Sequence, residues 1–102
     1  MVEIFRMKVE KSYMRGSKLK LPSSSSGSKI NELPTDEFKV RYDQSNSTWS
    51  CCTHKDPSNG LDYLHVKEWD HFAGIINGRE IVLNREDDPF NEVPYKFEVK
   101  NN

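Results

Sequence analysis

Hydrophobic and polar positions alternate cleanly in two stretches of this chain. Phe38-Lys39-Val40-Arg41-Tyr42-Asp43 and Tyr95-Lys96-Phe97-Glu98-Val99-Lys100 each put three apolar side chains on one face and charges on the other. A period of two marks a half-buried β-strand. Ile81 and Leu83 repeat it over a shorter span, and Phe5, Met7 and Val9 repeat it within residues 1–11. Both segments are read as strands. Residues 61–73 carry two patterns at once. Leu64 and Val66 alternate, whereas Leu61, Leu64, His65, Trp69 and Phe72 approximate a helical face that Gly74 would end. Strand is favoured there because the surroundings are β-rich.

Turn residues supply the connections. Asn77-Gly78, between Ile75-Ile76 and Arg79-Glu80-Ile81, reads as a type I′ hairpin, in which both central residues need positive φ. Gln44-Ser45-Asn46-Ser47 is expected to join strand 38–43 to a strand around 48–53, and its overlap with an Asn-Ser-Thr sequon is read as a turn. Asp56-Pro57-Ser58-Asn59-Gly60 is a further loop. Another contains Asp87-Asp88-Pro89, and Pro94 is placed at the start of the last strand, where a missing N–H does least harm. Pro22 and the four serines 23–26 have little to bury, so a flexible loop is expected around 22–36.

Composition agrees with the pattern. Val, Ile, Thr, Tyr, Phe and Trp total 26 of 102 residues, against one alanine and one glutamine. The former suit a pleated surface; the latter are residues that helices use freely. Such a length fits a single domain, since separate cores need roughly 100–150 residues each. The expectation is a small, mainly β, single-domain fold spanning 1–102: an antiparallel barrel or curled sheet of about six or seven short strands, with one short helix as an option. Of Trp49, Trp69, Tyr42, Tyr63 and Tyr95, at least three are expected in its core.

No apolar run approaches the roughly 18–20 residues of a membrane-spanning helix, and residues 1–6 lack a basic leader followed by an apolar stretch. The two cysteines are neighbours, Cys51-Cys52, and a bridge between neighbours is strained. A reducing, cytoplasmic location is therefore expected.

Charge changes the picture most. The net value is −1, from 15 bases and 16 acids. Residues 1–29 hold seven bases against two acids, and residues 30–102 hold eight against fourteen. Arg6, Lys8, Lys11, Tyr13, Arg15, Lys18 and Lys20 thus form a candidate partner-binding set, read as a basic, flexible arm for phosphate or an acidic protein face. Glu86, Asp87 and Asp88 form an acidic counterpart. The ordinary alternatives are an edge strand defended by lysines and a solvated acidic loop.

Chemistry-bearing groups are sparse. Cys51, Cys52, His54, His65 and His71 are ligand types without the paired spacing of a zinc finger, so neither a metal nor a cofactor is expected. Cys52 and His54 would share one strand face, with Cys51 pointing away. Cys52, His54, His65, His71 and Asp70 also admit a catalytic grouping, but no Gly-rich phosphate loop, G-x-S-x-G or H-E-x-x-H occurs. The sequence is therefore read as a small non-enzymatic protein that modulates or inhibits a protein partner, of the kind found among phage and mobile-element accessory proteins. The first alternative is a nucleic-acid-binding β-barrel using the basic N-terminal arm; the second is a small ribonuclease.

Overall fold

The computed structural model describes residues 2–22, 28–34, 36–42, 47–86, 90 and 93–100. Within them lie eight strands: β1 (Val2–Lys8), β2 (Met14–Arg15), β3 (Lys18–Lys20), β4 (Phe38–Tyr42), β5 (Ser47–Lys55), β6 (Asp62–Val66), β7 (Glu80–Arg85) and β8 (Tyr95–Lys100). One helix, α1 (Trp69–Ile76), is present among the described residues, with 3-10 turns at Lys11–Tyr13 and Ile30–Glu32. The strands form one sheet in the order β1-β7-β8-β4-β5-β6-β3-β2, curled into a half-barrel. Each pairing is antiparallel except β4 with β8, which run parallel with Val40 opposite Tyr95.

Alternation decides which faces meet. Phe38, Val40 and Tyr42 are buried while Lys39 and Arg41 are exposed, and Tyr95, Phe97 and Val99 repeat the pattern on β8. On β1 the register shifts between Glu3 and Phe5. That irregularity lets the consecutive Ile4 and Phe5 both bury. Trp49 stacks on Tyr42, with ring centroids 5.0 Å apart at 13°, and meets the edge of Phe72 at 5.1 Å. Phe72 also contacts Phe97 at 5.6 Å and Trp69 at 5.8 Å, so one helical side chain seals the concave face. Trp49, Tyr42 and Tyr95 are core; Trp69 and Tyr63 are half-buried.

Residues 61–73 resolve into both patterns in succession. Leu64 and Val66 belong to β6, and Trp69, Phe72 and Ile76 follow on a helix after the turn at Lys67-Glu68. The strand assignment therefore fails beyond Val66, and Gly74 lies inside α1 rather than at its end. Asn77-Gly78 is not a hairpin, because Ile75 and Ile76 are helical. Phe72 and Ile76, one helical turn apart, bury together, and Gly78, at φ 73°, ends the helix instead. Its N–H donates to the Val9 carbonyl at 3.2 Å, tying the helix exit to the end of β1.

The basic segment is sheet rather than a flexible arm. Residues 2–8, 14–15 and 18–20 are strands, and β1 and β2 are the two edges of the sheet. Of the turn expected at 44–47, residues 44–46 lie outside the described residues and Ser47 begins β5; the serines 23–26 and Asp87, Asp88 and Pro89 also lie outside them. Within the stretch expected to be a loop around 22–36, Ile30 and Leu33 are buried, and the Lys29 N–H donates to the Ile4 carbonyl at 2.7 Å.

Candidate functional site

Two hairpins lie side by side at the β2 edge. The first joins β2 to β3 through Gly16 and Ser17, whose φ values of 56° and 62° are the pair a two-residue primed turn demands. This register sets Met14 opposite Leu19 and Arg15 opposite Lys18. Leu19 is fully buried, which turns Lys18 and Lys20 outward.

The second hairpin joins β5 to β6 through residues 56–61, and it braces itself. The Asp56 carboxylate accepts from the Ser58 hydroxyl at 2.7 Å and the Ser58 N–H at 2.9 Å. Those two bonds, with a smaller contribution from Lys18, hold Asp56 below the usual carboxylate range. The Asn59 amide donates to the Tyr63 hydroxyl at 3.3 Å, and its carbonyl oxygen accepts from the Leu61 N–H at 2.9 Å.

Between the hairpins opens a cleft of about 680 Å³. Arg15 and Lys18 line it from the first hairpin, and His54, Lys55, Asp56 and Tyr63 line it from the second. Three permanent cations thus confront one carboxylate. Arg15 opposite Lys18 is a like-charge pair in direct register, an arrangement that lowers stability.

The remaining members of the basic set go elsewhere. Arg6 is claimed by Glu3 at 3.0 Å and Glu80 at 2.8 Å. Arg6, Lys8, Tyr13 and Lys20 line a second groove of about 510 Å³, where the curled sheet brings β1 towards β3. Lys20 stands over the Tyr13 ring, 5.7 Å from its centroid. Lys11 is exposed on the 3-10 turn. Of the acidic set, Glu86 sits 4.0 Å from Lys96, and Asp87 and Asp88 lie outside the described residues. The seven-residue set therefore divides between the cleft, which takes Arg15 and Lys18, and the groove, which takes Arg6, Lys8, Tyr13 and Lys20, with Lys11 lining neither. Lys55, the third cation of the cleft, is absent from the set because a split at residue 29 assigns it to the acidic part of the chain, and His54 entered the sequence reading only as a metal or catalytic candidate. The available signal was the loop 56–60 itself, flanked by strands and preceded by Lys55.

The cysteine–histidine group is only partly assembled. Cys52 Sγ lies 3.4 Å from His54 Nε2 on the outer face, as strand alternation requires, while Cys51 is buried. His65 faces Cys52 across the β5–β6 pair, whereas Asp70 and His71 are carried on α1. Among the described residues no three His, Cys, Asp or Glu side chains are arranged to hold a metal ion. No helix among them is long and apolar enough to cross a membrane.

The sequence matches no protein-family model and no curated protein. In fold the chain is similar to a chain of the Arabidopsis FUS3–DNA complex, with a TM-score of 0.68 over 97% of both chains and 14% sequence identity. At that identity the likeness is one of fold alone.

Proposed function

We propose that this protein binds nucleic acid, double-stranded DNA in the first instance, through the cleft between the β2–β3 and β5–β6 hairpins. The observation that carries the reading is the directly opposed Arg15 and Lys18, with Lys55 lining the same cleft. The sugar-phosphate backbone is the ligand that rewards such spacing, since each neutralised phosphate releases condensed counterions. The fold likeness to a chain of a protein–DNA complex supports the same reading. It also favours this reading over modulation of a protein partner, which rests on the absence of catalytic and metal motifs and on a surface of two opposite charges; of the acidic residues in that surface, Glu86 is already engaged by Lys96.

Fluorescence anisotropy with a labelled random-sequence duplex tests the proposal. Affinity should fall steeply between about 50 and about 200 mM salt, with a log–log slope near −3 for three phosphate contacts. R15A, K18A and K55A should each weaken binding and flatten that slope by about 1. Absence of binding at about 50 mM salt, to duplex and single strand alike, overturns it.

A further inference from the structure

We propose that His65 is a positioning residue for this cleft: its imidazole holds the tip of the basic hairpin, and with it the Arg15–Lys18 pair, against the sheet. The inference rests on the nucleic-acid reading above. His65 lies on β6, partly buried, and its Nδ1 stands 2.8 Å from the backbone carbonyl oxygen of Ser17. A carbonyl only accepts, so Nδ1 carries the proton and donates. Ser17 is the second central residue of the hairpin turn and the only non-glycine residue with positive φ among those described. The backbone there is held in a conformation that a serine resists.

Sheet geometry explains why a side chain is needed at this point. The β3–β6 ladder pairs Lys20 with Tyr63 and Leu19 with Leu64, and there it stops. His65 is the next residue on β6, and its ring bonds to the turn where the backbone ladder ends. β2 is the sheet edge, two residues long, with β3 as its neighbour. Repulsion between Arg15 and Lys18 works to open this short hairpin, and the His65–Ser17 bond opposes it. A tip held in advance need not be ordered when phosphate arrives, so the tether is read out as affinity.

Three substitutions separate donor position from bulk. An Asn amide nitrogen occupies the δ position of the ring, a Gln amide nitrogen reaches the ε position, and Leu has no donor. H65L and H65Q should speed amide exchange across residues 15–18 and weaken duplex binding by about three- to tenfold, the equivalent of one lost hydrogen bond. H65N should restore both. Equal exchange in H65L and wild type, or H65N behaving as H65L, overturns the inference. Exchange is measured without DNA, so faster exchange in H65L from a protein that binds no DNA overturns the nucleic-acid reading and leaves the tether standing.

Discussion

Arg15 and Lys18 stand directly opposite each other at the end of the β2–β3 hairpin, two cations in one cross-strand pair. Opposed like charges in a sheet are destabilising, and an opposite-charge pair contributes roughly 0.2–1 kcal/mol. R15E should therefore raise the urea midpoint slightly while weakening duplex binding by an order of magnitude or more. A variant that gains stability and loses binding identifies a residue kept for its ligand. Chemical denaturation and anisotropy on the same preparation check both arms.

Asp56 is the single carboxylate among the described residues lining the cleft. D56N keeps the oxygen that accepts from Ser58 and removes the charge. Binding should tighten by up to about fivefold, because the carboxylate repels phosphate and offsets part of the attraction of the neighbouring cations. The gain should shrink as salt is added. D56A, which also loses the bonds to Ser58, should not reproduce it.

The adjacent cysteines should behave oppositely. Burial, aided by the nearby Cys52, Glu68 and Glu37, pushes the Cys51 thiol from 9.0 up to about 12. Folded protein should react with a thiol reagent once, at the half-buried Cys52, and twice only after unfolding. The folded chain holds the Cys51 proton more tightly than the unfolded chain. This contribution is thus complete below pH 9 and is lost as pH rises towards 12, at roughly 1.4 kcal/mol per pH unit. Denaturation at several alkaline pH values should give a steeper decline for wild type than for C51A.

Trp49 is 3% exposed and touches Tyr42, Phe72 and Phe97. W49A removes the side chain on which the sheet and α1 converge, and should cost about 3–5 kcal/mol, enough to unfold much of the population of a small domain. W69F, at a half-buried position on the same helix, should cost less than about 1.5 kcal/mol. Thermal melts of the two variants distinguish the anchor from its neighbour.

How much of the fold was legible depended on how local its cause was. The strands at 38–42 and 95–100 follow from side-chain alternation, which each segment carries alone. The helix at 69–76 was obscured because a strand pattern ends three residues before a helical one begins, and averaging over both favours the wrong state. Asn77-Gly78 misled for a related reason. Positive φ at a glycine serves a primed turn and a helix exit equally well, and what chooses between them is whether Ile75 and Ile76 find a core to enter as helix. The hairpin at Gly16-Ser17 carries a weaker turn signal and sits inside a run of charges that read as an arm.

The candidate site divides along the same line. The sequence by itself determined that this is a β-rich domain of small core, that Cys52 and His54 share a face, and that Arg15 and Lys18 lie in a basic segment. These follow from composition, alternation and counting. Only the tertiary structure decided that the segment splits, with Arg6 paired to Glu80 from β7, and that Arg15 and Lys18 line one cleft with Lys55. It alone brought His65 to a carbonyl 48 residues away. The reason is physical: charge along a chain adds by sequence, but phosphate reads charge in space. The strand order brings Trp49, Phe72 and Phe97 into one buried cluster, and the charged residues take the positions that this packing leaves at the surface.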